Sequence, residues 1–448
     1  MEKQAKKMNS VDATLMASGA IIGAGIFSMT GIAVGAAGPG VPIAFIIAGL
    51  CSMLMCLPHM IVSSAIPAKG GRYLYVARFL SPLLGFLQIW NTVIQVALVS
   101  VMGLSAGQYL PQIFPMLTPK TAGVLVVAAI VVACLFNVRT SARVQNIMVI
   151  LILISLVLFI AMGIPHIKYW SLKASFSVSG ISGILLAVSY VRSSAWGAIA
   201  VVNLGGEIEN PGKAVPRSIA TATLSVSLIY ALVGIVAIGV VPWEQMIHQP
   251  LSVPAKEFMP GWALSFFVLG GALFAVCTTL LSLLMDFSRA IWAAAGDGLF
   301  PQWLRATNKH GVPYRILLLM GAAGAIPIIL DLSIGYVFAV MSAPAMLLNV
   351  LDTFPAIVAR KKLPDRFEKA WFRMPVWMTW AAVLLNMGLS ILFSYKLFTT
   401  LDAMTIMWIV LFYGTGVAYY YIRVKGMKKK GVDLVKQMTA YDPAWLEE

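Results

Sequence analysis

Long uncharged apolar runs, separated by short polar or basic connections, organise this chain from end to end. A hydrocarbon core about 30 Å thick needs roughly 20 apolar residues per helix. Runs of that kind lie over 11–34, 41–66, 83–109, 121–138, 144–164, 181–205, 218–241, 262–294, 314–330, 333–358, 376–398 and 404–422. None alternates with the period of a barrel strand, so each is expected to be helical. The pattern predicts an all-α membrane protein with 12 transmembrane helices.

Composition strengthens that expectation. Only 11% of the 448 residues are charged and 60% are hydrophobic, against about 25% charged in an ordinary soluble domain. The charges needed to cover a soluble surface are missing, which excludes a soluble enzyme, a disordered chain and a nucleic-acid module. The net charge of +15 is then mostly a topology signal. With the N-terminus in the cytoplasm, inner connections hold 26 of the 32 lysines and arginines. Outer connections hold Lys120, Lys168, Lys173, Lys256 and Lys396, and Arg192 lies within a span. The positive-inside rule therefore predicts a cytoplasmic-membrane protein with both termini cytoplasmic. Lys428, Lys429 and Lys430 are placed to touch anionic lipid headgroups.

Other chemistry is sparse. The four cysteines all fall in apolar runs with spacing for neither a zinc site nor a disulfide framework. His59, His166, His248 and His310 do not cluster. No convergent nucleophile–base pair is visible, so no enzyme activity and no resident cofactor are expected. The basic start leads into an apolar run too long for a signal h-region, so no cleavable signal peptide is expected.

Two spans carry interruptions. Span 1 contains Ser18-Gly19-Ala20-Ile21-Ile22-Gly23-Ala24-Gly25-Ile26-Phe27, and glycine costs a helix about 1 kcal/mol relative to alanine. Backbone unwound at membrane depth is tolerated only beside a cavity or inside protein. Such a break exposes carbonyls at the end of one half-helix and N–H groups at the start of the next, a pair that suits a zwitterion. Close packing is the alternative, because Gly19 and Gly23 also form a small-xxx-small contact. Span 6 is interrupted at Ser193-Ser194-Ala195-Trp196-Gly197, and Gly205-Gly206 follows. Spans 1 and 6 are corresponding members of two halves of five, as in an inverted-repeat transporter.

These residues resemble the amino acid–polyamine–organocation family of permeases over spans 1 to 10. Gly23-Ala-Gly-Ile-Phe27 looks like the family's span-1 break. Pro67-Ala-Lys-Gly-Gly-Arg-Tyr-Leu-Tyr75, with Gly85, Phe86 and Trp90, looks like its loop between spans 2 and 3. Glu207-Ile-Glu-Asn-Pro211 with Pro216-Arg217 looks like the stretch after span 6. Arg289 with Gly296-Asp-Gly-Leu-Phe-Pro301 looks like the loop after span 8. Two positions depart from the family. Ala198 stands where relatives often carry a gating aromatic, and Ile152 where many carry a span-5 lysine.

The resemblance implies a five-plus-five inverted repeat with broken helices 1 and 6, plus two C-terminal helices. The organisation expected is a cytoplasmic N-terminus 1–10, a first repeat 11–164, a second 181–358, helices 11 and 12 over 376–422, and a cytoplasmic tail 423–448. The implied function is a secondary active permease for an amino acid or related amine, working by alternating access. An exchanger or a nutrient sensor on the same fold is the alternative, although the short tail argues against a sensor. The resemblance places a substrate carboxylate on the N–H groups of Ala24 and Gly25, within Gly23–Ile26. It places the amine on the Ile21 carbonyl and the span-6 break at Ser193 and Ala195, continuing through Gly197 and Ala198. Arg192 is the charged residue expected to face this cavity. Coupling is expected to use H⁺ or Na⁺. In sodium-coupled relatives the equivalent ligands would be the carbonyls of Gly19, Ile22 and Ala275 with the hydroxyls of Thr278 and Thr279. The expected partners are the small-molecule substrate and membrane lipids, with the monomer as the working unit and no nucleic acid.

Overall fold

A computed structural model describes residues 9–66, 71–136, 141–169, 180–203 and 208–440, and the side chains of most of them. Pro67 to Gly70, Arg139, Lys173, Gly205, Gly206 and Glu207 lie outside the described residues, as do the side chains of Ala24, Ser193 and Ala195. Every regular element among the described residues is helical.

The chain begins with α1 (Ser10–Ile21), capped by the Asn9 side chain, which accepts from the Asp12 N–H at 2.8 Å. It stops at Ile22, whose ψ of 71° leaves the helical region. α2 (Ala24–Ala37) resumes after one extended residue, Gly23. A turn at Gly38, with φ 55° and ψ −134° that only glycine adopts readily, then leads into α3 (Val41–Ala65). α4 (Gly71–Phe79) is a short connecting helix. α5 (Pro82–Gln95) and α6 (Ala97–Tyr109) cover the third apolar run with a bend at Val96, followed by α7 (Pro119–Leu135) and α8 (Ser141–Gly163).

The second half opens with α9 (Gly180–Ala195), which tightens into a 3₁₀ segment over Trp196–Asn203. α10 (Pro211–Val240), α11 (Ser252–Phe258) and α12 (Gly261–Phe266) follow. α12 passes through a π-helical stretch, Phe267–Leu273, into α13 (Phe274–Gly296). α14 (Tyr314–Ile329), α15 (Ile334–Thr353), α16 (Pro355–Lys362) and α17 (Pro364–Lys369) lead to the long α18 (Val376–Phe398) and α19 (Ala403–Lys429), and α20 (Leu434–Thr439) closes the described chain. Among the described residues, eight helical stretches are long and apolar enough to cross a bilayer, and α7 and α14 are shorter apolar helices. Exposed residues such as Leu228, Trp408 and Val410 stud their outer faces, as lipid contact requires. The chain is an integral membrane protein.

Two groups of helices divide the interior. α3 packs most extensively on α10, α10 on α1, and α9 on both α2 and α3, so both interrupted spans share one bundle. Small residues let these helices approach: a Cβ added at Gly49 of α3 would strike the Ser227 side chain of α10. Phe45 and Tyr230 meet edge to face across the same interface, 5.5 Å between centroids. The second group joins α6, α7 and α14. There a Cβ at Gly123 would lie 2.6 Å from the Gly103 carbonyl oxygen, so the two backbones touch.

Candidate functional site

The break in the first span is built from three local facts. The Ile22 N–H still closes the last turn of α1 on the Ser18 carbonyl at 2.8 Å. The Gly23 N–H then turns back to the Ile21 carbonyl at 2.9 Å, which ends the helix. α2 restarts at Ala24 with Gly23 as its cap, and glycine brings no side chain to hold the first-turn N–H groups. Those N–H groups have no intrahelical partner and mark the positive end of α2.

The second interruption takes another form. α9 stays α-helical through Ser193 and Ala195, three residues further than the sequence pattern suggested, and then narrows to an eight-residue 3₁₀ segment. Runs longer than three or four residues are uncommon in that geometry, and within a span they mark a hinge or local strain. Gly197 explains why the two interruptions meet. A Cβ there would lie 2.5 Å from the Ala20 carbonyl carbon and 3.0 Å from the Ile21 nitrogen, so the two backbones are in direct contact. The contact joins the last turn of α1 to the 3₁₀ segment that follows α9, and α2 restarts a few residues further on, at Ala24. α9 also packs on α2, whose first-turn N–H groups form a positive helix end of the kind that suits a carboxylate. Ile21, Ile22, Ile26 and Ala198, at and beside the two interruptions, are all buried.

One group bearing on the site was not visible in sequence. The Tyr230 hydroxyl, on α10, donates to the Ile21 carbonyl at 3.0 Å. With the Gly23 N–H this engages both lone pairs of the carbonyl that the resemblance assigned to a substrate amine. Nothing local to span 7 marks Tyr230, because its partner is two hundred residues away.

Behind the break, the two glycines of span 1 have separate packing partners. A Cβ at Gly19 would strike Val149 of α8, and one at Gly23 would strike the Thr279 side chain of α13. The Thr279 Oγ1 is buried without a hydrogen-bond partner among the described residues, whereas the Thr278 hydroxyl donates to the Ala275 carbonyl at 3.1 Å. Of the residues of the candidate sodium site, Thr279 therefore approaches the break directly and Thr278 is engaged within its own helix. Ile152 is fully buried on α8.

Arg192 lies in a different neighbourhood. Its guanidinium reaches the Met55 sulfur on α3 at 3.1 Å and stands 5.7 Å from the Phe393 ring centroid on α18. Its backbone carbonyl accepts from Ser52 of α3. It is buried in protein rather than facing lipid, and these contacts lead to α3 and α18.

Hydrogen bonds tie loops to the bundle in two places. On one side, Tyr109 donates to the Phe27 carbonyl at 2.6 Å and accepts from the Leu251 N–H at 3.1 Å, tying the loop before α11 to α2. The His248 N–H adds a bond to the Gly31 carbonyl at 2.9 Å. On the other, the Tyr73 hydroxyl of α4 meets the Asp297 carboxylate after α13 at 2.6 Å. The loop motifs that follow spans 2 and 8 are thereby joined. Burial, then the neighbouring Asp297 charge, pushes the Tyr73 hydroxyl pKa up.

Comparison with known proteins agrees with this architecture. The sequence model of the amino acid permease family matches residues 8–421. The chain is 28% identical over 447 residues to the branched-chain amino acid permease of Bacillus subtilis, covering 94% of each chain. It is 29% identical over 455 residues to the methylthioribose transporter of the same organism, covering 95% of each. To cationic amino acid transporter 4 of Mus musculus it is 30% identical over 358 residues, covering 72% of this chain and 55% of the mouse protein.

Proposed function

Since the chain belongs to the amino acid permease family, we propose that it is a secondary active transporter that carries an α-amino acid by alternating access. The substrate binds where the two interrupted spans touch. The observation that carries this reading is the contact of Gly197 with the Ala20–Ile21 backbone, which brings the 3₁₀ segment after α9 against the end of α1, immediately before the break. The N–H groups of Ala24, Gly25 and Ile26 receive the carboxylate, and the carbonyls ending α9 receive the ammonium. Tyr230 fixes the geometry of the break through the Ile21 carbonyl.

The reading extends to the arrangement of the whole chain: twelve spans, two inverted sets of five followed by two more, with both termini cytoplasmic. The asymmetric distribution of lysine and arginine supports this orientation. An apolar side chain on the substrate is favoured by the isoleucines and Ala198 at the break. The full-length similarity to a branched-chain amino acid permease points the same way. Ala198, in place of a gating aromatic, leaves room for a branched side chain. Transport requires the Tyr109 and His248 bonds to α2 to open on one side and the Tyr73–Asp297 bond to open on the other.

Coupling is to H⁺ or Na⁺. The sodium reading is favoured by one observation, the buried Thr279 Oγ1 set against Gly23 with no partner. A cation there would be held by that hydroxyl together with the Thr278 hydroxyl and the carbonyls of Gly19, Ile22 and Ala275. Oxygen donors of this kind suit a hard cation.

Ligand-induced thermal stabilisation of the purified protein tests the substrate class across all amino acids and common polyamines. A bound ligand raises the melting temperature with the logarithm of its excess. Stabilisation by apolar amino acids is expected; none by any α-amino acid would refute the proposal.

A further inference from the structure

We propose that a basic cavity between α3, α10 and α17 binds a phosphate-bearing anion, either an anionic lipid headgroup or a soluble phosphate ester. The cavity has a volume of about 460 Å³ and an open mouth. Lys213, Arg366 and Lys369 line it, against the single counter-charge of Asp365 among its lining residues. It lies apart from the helix breaks, and it does not depend on which substrate is carried.

Its walls are built, not incidental. Ser64, at the end of α3, donates to the Gly212 carbonyl at 2.6 Å and accepts from the Phe372 N–H at 2.9 Å. One hydroxyl thus ties together α3, the start of α10 and the segment after α17. Gly212 permits this approach, since a Cβ there would lie 3.0 Å from the Ser64 carbonyl oxygen. The cavity is therefore present before any ligand arrives.

Among the residues that line the cavity the charge is one-sided, three cations to one carboxylate. α10 is 30 residues long, and its first turn carries no acidic residue. Asn210, at the cap position, sits at φ 48° and its side chain makes no capping bond. The positive end of a helix favours anions, yet the charged residue in that first turn is Lys213. A cation at a helix N-terminus is locally unfavourable, and Lys369 and Arg366 add to the imbalance. An anion in the cavity meets all three cations at once, and charge-assisted hydrogen bonds from lysine and arginine favour phosphate.

The surroundings match a membrane surface. Lys213 stands 5.8 Å from the Trp371 ring centroid, and Trp371 and Trp377 are 53% and 71% exposed. Tryptophan collects at the headgroup level of a bilayer, and basic pockets between transmembrane helices at that depth take phospholipid heads.

The test uses the full chain in detergent micelles, with thermal stability measured against added dioleoyl phosphatidylglycerol, dioleoyl phosphatidylcholine and glycerol 3-phosphate. Phosphatidylglycerol is expected to raise the midpoint with the logarithm of its concentration, and phosphatidylcholine much less. Each cation near the surface is worth about 1 kcal/mol, so Lys213→Gln with Lys369→Gln should weaken apparent affinity about thirtyfold. Arg366→Gln alone should weaken it about fivefold, a milder change should the double variant fail to fold. Stabilisation by phosphatidylglycerol alone assigns the site to lipid, and stabilisation by glycerol 3-phosphate as well assigns it to a soluble phosphate ester. Three results would overturn the proposal: no stabilisation by either, equal stabilisation by phosphatidylcholine, or an unchanged response in both cavity variants.

Discussion

Replacing Gly197 with alanine should separate the two helix breaks and suppress transport while leaving the protein folded. The added Cβ would stand 2.5 Å from the Ala20 carbonyl carbon. An ordinary carbon–carbon contact lies at about 3.5 Å, so the segments must part by roughly 1 Å. What blocks the methyl is backbone, which has no rotamer to swing aside. Overpacking of this kind costs about 1–3 kcal/mol, a modest loss for a protein with many buried helix contacts. The effect on function should be larger, because a misplacement of about 1 Å in a positioned site costs on the order of a hundredfold. Uptake by proteoliposomes, normalised to reconstituted protein, should fall at least tenfold, with a monodisperse elution profile and a small drop in melting temperature. Wild-type uptake by Gly197→Ala would show that the backbone contact does not shape the binding site.

Three further outcomes follow from particular contacts. Tyr230→Phe removes the hydrogen bond to the Ile21 carbonyl; a neutral bond is worth about 1 kcal/mol, so apparent substrate affinity should fall about fivefold, and unchanged affinity would release Tyr230 from any role. Under the sodium reading, Thr279→Val keeps the shape but deletes the free hydroxyl, and it should abolish the loss of uptake seen when choline replaces sodium at fixed pH and membrane potential; a wild type indifferent to choline would end that reading. Arg192→Gln should lower the melting temperature, since it removes a ring contact worth roughly 0.5–2 kcal/mol, without altering substrate preference; altered preference would return Arg192 to the binding site.

What the sequence disclosed and what it hid divide along physical lines. The turn at Ile22 and Gly23 was legible because glycine spacing weakens a helix locally. The tightening after Ala195 was legible as an interruption but not as a 3₁₀ segment, since Ser193 and Ser194 look like a break while the helix runs through them. The π-helical stretch before α13 was not legible at all. It is set by packing: a Cβ at Gly271 would strike Ser155 of α8 and lie 3.2 Å from Phe27 of α2. Arg192 stood out in sequence as a buried charge, but its direction depends on Met55 and Phe393, which no local pattern connects to it. Tyr230 was hidden for the same reason. The meeting of the loops after spans 2 and 8 through Tyr73 and Asp297 was foreshadowed only as two separate motifs.

Uptake of radiolabelled amino acids into proteoliposomes containing only this protein tests the central claim most directly, with wild type and Gly25→Val reconstituted side by side. Gly25 is buried in the first turn of α2, where a branched side chain would intrude on the N–H groups meant for the carboxylate. The account predicts saturable uptake of at least one apolar α-amino acid by the wild type, competed by the unlabelled form, and none by the variant although it remains folded in the membrane. Uptake by Gly25→Val equal to wild type, or no uptake of any amino acid by the wild type under proton, sodium or counterflow gradients, would contradict it.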